Sequence, residues 1–247
     1  LVLGPGGALA KLASPFRWPD SRTLAQALRH RSFPDPRASL SPLHGRPGYR
    51  WIAADMFQVR IHGRGGQGIV TAAEMLSLAA FDEGHHTQAF PSFGSERNGA
   101  PVVSFCRIDD RPIRLREPVA EPDALLIGDP TLLHQVDVFA GLKPDGYMLI
   151  NTAKTFDELG LSEFVAGFRR ERLLTVPASD LAREHTGRPV ANAALLGGFA
   201  ALSGLLSLES VARAIREKLP ARIAEGNVTA AERAHAWVTD EMLELAC

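Results

Sequence analysis

Apolar and polar positions begin to alternate at Phe57, where Phe57, Val59 and Ile61 are interleaved with Gln58, Arg60 and His62 in the period-two pattern of a strand. A glycine-rich run, Gly63-Arg64-Gly65-Gly66-Gln67-Gly68, follows at once. The period then lengthens, and Val70, Ala73, Leu76, Ala80 and Phe81 fall near one face of a helix predicted over 69–81, which Gly84 ends. Short strands are predicted at 86–90 and 102–108. The nearly continuous apolar runs 124–127 and 147–150 predict strands covered on both faces, and 173–176 adds another. Helices are predicted over 131–140, 179–186, 191–206, 209–219 and 229–245, the last with Thr229 and Glu232 at capping-box spacing. Strands alternating with helices make a three-layer α/β domain with a largely parallel sheet and helices on both faces.

The stretch 189–208 carries no charge and approaches the ~20 residues of a membrane span. Alanine, serine and the glycines Gly197, Gly198 and Gly204 make it too weakly apolar for that, so it reads as a buried helix packed closely on another element. Before Met56 the pattern differs. Residues 1–55 hold 7 of the 17 prolines and 8 basic against 3 acidic side chains, with neither period two nor period 3.6. They are expected to be a poorly ordered extension, whether linker, sequence upstream of a start at Met56 or basic docking arm, ahead of a domain spanning 56–247.

The formal net charge of -1 provides no basic field for nucleic acid or anionic lipid, so neither nucleic acid nor membrane is an expected partner. Residues 1–10 have no charged segment ahead of an apolar stretch, which leaves the cytoplasm as the expected location. Cys106 and Cys247 are the chain's two cysteines, too few for a cysteine-ligated iron–sulfur cluster, a zinc ribbon or a disulfide framework. Redox chemistry would need centres held elsewhere.

Gly63, Gly65 and Gly68 satisfy G-x-G-x-x-G between a strand and a helix, a Rossmann-like βα turn in which the backbone can approach an anion and the helix N-terminus attracts it. The alternative is a tight turn without ligand. A dinucleotide dehydrogenase would also place Asp or Glu at the end of the second strand, and here that strand ends in Phe90-Pro91. The second constellation is the loop Phe90-Pro91-Ser92-Phe93-Gly94-Ser95-Glu96-Arg97-Asn98-Gly99-Ala100-Pro101, where Arg97 could bind phosphate or carboxylate or simply pair with Glu96 in solvent. His62 beside the glycine turn reads as half-exposed, and His85-His86 has no partner at metal-ligand spacing. Asp129-Pro130 reads as a helix start, and Asn151 and Asn192 as caps at the edge of a site. No metal ligand and no catalytic residue is assigned.

These two loops, with Pro122-Asp123 before the apolar strand and Gly146-Tyr147-Met148-Leu149-Ile150-Asn151, resemble the gamma subunit of 2-oxoacid:ferredoxin oxidoreductases, nearest the pyruvate and 2-oxoisovalerate types. The resemblance runs over about 56–245. Ser95 stands where relatives often have Pro, and Asn98 where many have a second Arg or a Thr. The resemblance implies a subunit of a complex that decarboxylates a 2-oxoacid oxidatively with coenzyme A and passes electrons to ferredoxin or a similar acceptor. Thiamine diphosphate, magnesium and [4Fe-4S] clusters would then lie on alpha, beta and delta-type partners. It also implies a shared coenzyme A site to which Gly63, Gly65, Gly66, Gln67, Gly68, Ser95, Glu96, Arg97 and Asn98 contribute. The rival readings are a self-contained NAD(P)-dependent oxidoreductase and a purely structural subunit.

Overall fold

The computed structural model describes residues 56–92 and 99–246, so the expectations for 1–55 and for Ser95, Glu96, Arg97 and Asn98 lie outside the described residues. Strand β1 (Phe57–Arg64) leads through the glycine turn into helix α1 (Ile69–Asp82). Strands β2 (His86–Pro91) and β3 (Pro101–Asp109) follow, then β4 (Ala124–Ile127) and β5 (Tyr147–Asn151). After the short helix α2 (Ser162–Val165) come β6 (Leu173–Val176), α3 (Ala178–Thr186), α4 (Asn192–Ser203), α5 (Leu208–Lys218) and α6 (Ala221–Ala246).

The strands form one sheet in the order β2-β3-β1-β4-β5-β6. The β1–β4, β4–β5 and β5–β6 pairs are parallel, as expected. The β1–β3 and β2–β3 pairs are antiparallel, because β2 and β3 form a hairpin whose second strand returns alongside β1, with Arg64 opposite Pro101. The sheet is therefore mixed. A Rossmann sheet would place the second strand parallel to the first at this position. The likeness is confined to the βα turn.

Both sheet faces are buried, as continuous apolar strands require. Ala124 and Leu126 of β4 face a core built with α1 and α3–α6, while Leu125 and Ile127 face a second core with Leu132, Leu133, Phe139 and Phe156. The layer over the second core is thin. It consists of loops, α2 and the 3₁₀ turns Pro130–His134 and Arg170–Arg172. The helix expected over 131–140 is confined to the first of these turns. Buried Arg60 explains the difference: its guanidinium donates to the carbonyls of Val119, Ala120, Val138 (3.1 Å) and Ala140, turning them toward the sheet instead of along a helix axis.

Helix α4 is buried on nearly every side, as its composition predicted. Its end at Ser203 comes from Gly204 in the left-handed conformation. Helix α6 begins eight residues before the predicted 229, and Thr229 bonds back to the carbonyl of Glu225 (3.1 Å) rather than capping a start. No described helix is long and apolar enough to cross a membrane.

Candidate functional site

Strands β1, β4 and β5 end at one edge of the sheet, and the glycine turn, Gly128-Asp129 and Asn151 all meet there. Helix α1 starts at this edge with Gly68 as its N-cap, at φ 73. No side chain caps it and no acidic residue stands in its first turn. Its first N–H groups have no intrahelical acceptors, and the helix dipole places partial positive charge at the same point. The sequence has thus left open the carboxylate position that many helices fill from within.

Two asparagines complete the edge. Asn151 is satisfied within the protein: its Nδ2 donates to the Gly128 carbonyl and Ser179 Oγ, both at 2.8 Å, and its Oδ1 accepts the Ser179 N–H at 2.9 Å, capping α3 from a neighbouring strand. Asn192 differs. It is 5% exposed and its Oδ1 accepts the Ala193 N–H at 2.8 Å, yet its Nδ2 has no acceptor among the described residues. That Nδ2 lies so near Gly68 that a Cβ there would be 2.6 Å from it. Between them opens a cavity of about 20 Å³, lined by Gln67, Ile69, Gly128, Ser179 and Asn192, with room for about one water molecule. The cavity itself admits at most a small group.

The side chains of the glycine turn point inward. Gln67 Oε1 accepts the Arg64 N–H (2.8 Å), and Gln67 Nε2 donates to Asp129 Oδ2 (2.8 Å). Arg64 donates to Asp129 Oδ2 (3.1 Å), Thr131 Oγ1 (2.6 Å), Gln135 Oε1 (2.9 Å) and the Gly99 carbonyl (3.0 Å). Asp129 Oδ1 accepts from the Thr131 N–H (2.9 Å) and hydroxyl (2.6 Å), so it does start the following turn, as expected. Burial alone would raise the Asp129 carboxyl, but the hydrogen bonds from Thr131 and Gln67, with Arg64 beside it, hold it below its ordinary value. Of the predicted site residues, Gly66 and Gly68 remain available through their N–H groups, whereas the N–H and carbonyl of Gly65 are both bonded to the second loop. Gln67 is engaged internally, and Gly63 serves packing, since a Cβ there would strike Ile69 Cδ1 at 2.3 Å.

The second predicted loop is anchored to the first. Gly65 N–H donates to the Ala100 carbonyl (2.9 Å), and Gly99 N–H donates to the Gly65 carbonyl (3.1 Å). The antiparallel β1–β3 pair brings Gly99 and Ala100 to the glycine turn. His62 is buried rather than half-exposed, with neither ring nitrogen bonded among the described residues. Burial, and secondly the neighbouring charge of Arg60, lowers its pKa to about 3, so the ring is neutral.

Comparison with known proteins gives one consistent result. Residues 58–237 match the sequence model of the pyruvate ferredoxin/flavodoxin oxidoreductase family. The pyruvate synthase subunit PorC of Methanothermobacter marburgensis is 46% identical over 180 residues, covering 73% of this chain and 96% of that protein. The pyruvate/ketoisovalerate oxidoreductases common subunit gamma of Thermococcus kodakarensis is 48% identical over 179 residues, 72% of this chain and 95% of that protein. The crystal structure of pyruvate oxidoreductase subunit PORC from Thermotoga maritima superposes with a TM-score of 0.61 at 32% identity, covering 73% of this chain and 96% of that one.

Proposed function

The chain belongs to the pyruvate ferredoxin/flavodoxin oxidoreductase family, as a gamma-type subunit of a multi-subunit 2-oxoacid oxidoreductase, and from that premise we propose that its glycine-turn edge forms part of the coenzyme A site. The assembled enzyme would convert a 2-oxoacid and coenzyme A to acyl-coenzyme A and carbon dioxide, passing two electrons to ferredoxin or a similar acceptor. The observation that carries the reading is the uncapped N-terminus of α1 with the free Nδ2 of Asn192 beside it, a set of neutral donors suited to a phosphate or carbonyl oxygen. A cavity the size of a water molecule suits a shared site whose other wall comes from a sister subunit.

Thiamine diphosphate, magnesium and [4Fe-4S] clusters belong in this reading to alpha, beta and delta-type partners, where they supply the decarboxylation and electron transfer. Among the described residues nothing fits a cluster: Cys106 is fully buried on the helical side of β3, and burial pushes its thiol well above the ordinary range. The NAD(P) rival also lacks its structural basis, because the strand beside β1 that would carry the ribose-binding carboxylate is the antiparallel β3.

The test uses the assembled complex. Asn192→Ala and Gly66→Val should each raise the Michaelis constant for coenzyme A about tenfold or more, the loss of one good hydrogen bond or of close backbone approach, with the constant for the 2-oxoacid unchanged. The purified chain alone should not reduce a viologen dye with any 2-oxoacid. Intact coenzyme A kinetics in both variants would reduce this chain to a structural subunit.

A further inference from the structure

The hydrogen bonds at the glycine turn close a ring. The Arg64 N–H reaches Gln67 Oε1, Gln67 Nε2 reaches Asp129 Oδ2, and the same oxygen takes Arg64 Nε. Asp129 thus holds the first and fourth residues of the Arg64-to-Gln67 segment from the turn that follows β4, while its other oxygen is fixed by Thr131. Through Arg64 the ring extends to Thr131, Gln135 and the Gly99 carbonyl at the foot of the second loop. Arg64 and Asp129 are largely shielded from water, at 20% and 12% side-chain exposure.

The backbone of the turn has little else to hold it. Gly66 and Gly68 both adopt positive φ, a conformation glycine can leave freely. The bonds from Gly65 to Ala100, Gly99 to Gly65 and Gln67 to Arg64 are its backbone restraints outside the helix and sheet. The β1 ladder to β3 and β4 would keep the strand in register without the ring. What the ring decides is where the amides after Gly65 point.

We propose that Asp129 is a positioning residue: by clamping Arg64 and Gln67 it fixes the glycine turn so that the Gly66, Gly68 and Ile69 N–H groups stay aimed at the bound anion, without touching the ligand itself. The charged Arg64, which a sequence reading would offer to a phosphate, is consumed as the strut of this clamp. The ligand's identity rests on the coenzyme A reading above, whereas the clamp itself does not.

The experiment uses Asp129→Ala, Asp129→Asn and Gln67→Met in the assembled complex and reads two quantities. One is hydrogen exchange of the 63–70 segment. The other is the split between the coenzyme A and 2-oxoacid Michaelis constants and kcat. Asp129→Ala should speed exchange of the turn amides and raise the coenzyme A constant by about ten- to a hundredfold, the usual cost of losing an orienting partner, with kcat and the 2-oxoacid constant nearly unchanged. Asp129→Asn, which keeps an acceptor but not the charge, should recover part of both effects. Gln67→Met, which leaves the Arg64–Asp129 pair in place, serves if Asp129→Ala fails to assemble, and should shift the same two readouts by less. Unchanged exchange in the turn overturns the clamp whatever the kinetics. Faster exchange with an unchanged coenzyme A constant supports the clamp and removes coenzyme A from this turn.

Discussion

A side chain at Gly197 of α4 would run into the backbone of α6, since its Cβ would lie 2.1 Å from the carbonyl oxygen of Ala231. The two helices cross at a contact only glycine allows, and α6 is thereby seated against the sheet side that carries α1. The adjoining Gly198 is less constrained: its Cβ would meet Leu149 Cδ2 at 3.1 Å and Val238 Cγ2 at 3.2 Å, side chains that can yield.

The two glycines should therefore behave differently despite being neighbours in one helix. Gly197→Ala must separate two backbones and should destabilise by about 1–3 kcal/mol or more, as overpacked cores do. Gly198→Ala gains up to about 1 kcal/mol of helix propensity against a slight crowding of side chains, and should lie near neutral. Thermal melting of the two variants checks this. Equal melting temperatures would mean that α4 and α6 slide apart at little cost.

Much of the fold was legible because local pattern decides it. Five of the six strands fall within one residue of the predicted runs, β1 extends two residues past its alternation to Arg64, and the close packing of α4 was readable from its glycines. Strand direction was not legible. Nothing in 101–109 says that it runs against β1, yet this reversal sets the Ala100 carbonyl on Gly65. The 131–140 segment failed for a similar reason, since the carbonyls that Arg60 captures lie about 80 residues from it in sequence. At the site, the tight turn between strand and helix was readable from glycine spacing, whereas the internal engagement of the Gln67 side chain was not, because its partner Asp129 lies 62 residues on. Asp129-Pro130-Thr131 announced a turn start. One oxygen of Asp129 serves that role, and the second had no signature in the sequence.

His62 should leave a mark on the pH dependence of stability. Its folded pKa of about 3 lies below the ordinary value of 6.5, so between these limits the unfolded chain holds a proton that the folded chain does not. The contribution is fully present above pH about 6.5 and is lost as pH falls toward about 3, at up to about 1.4 kcal/mol per pH unit. Asp129, also lowered, adds a loss only in the carboxylate range and below. His62→Leu removes the ring's titration and should flatten the slope between pH 6.5 and 4.5 in denaturant midpoints. A slope unchanged from that of the parent chain would show that His62 titrates normally.

Residues 1–55 are expected to be dispensable for folding and assembly. Their proline content and charge break with the rest, and the relatives above match this chain over 72–73% of its length while being themselves covered to 95–96%. A chain starting at Met56 should copurify with the same partners and support the same turnover as the longer one. Loss of solubility, or a melting temperature lowered by more than a few degrees, would place part of the segment on the core.

We propose that Arg97, which lies outside the described residues, supplies a cation to a phosphate at this edge. Arg64 is committed to Asp129, and Arg60 to four backbone carbonyls. Gly99 and Ala100, which follow Arg97 closely in sequence, are bonded to Gly65 of the glycine turn. A charge-assisted hydrogen bond contributes about 1.5–3 kcal/mol, so Arg97→Ala should raise the Michaelis constant for coenzyme A about ten- to a hundredfold and that for the 2-oxoacid little. Arg97→Lys should recover part of the loss, since charge survives but the paired donors do not. Desulfo- or dephospho-coenzyme A analogues locate the contact: if the 3′-phosphate is the group bound, dephospho-coenzyme A should be insensitive to Arg97→Ala. Should the variant instead bind coenzyme A normally while the complex falls apart at low concentration, Arg97 is an assembly residue and the phosphate contact is lost to the backbone amides alone.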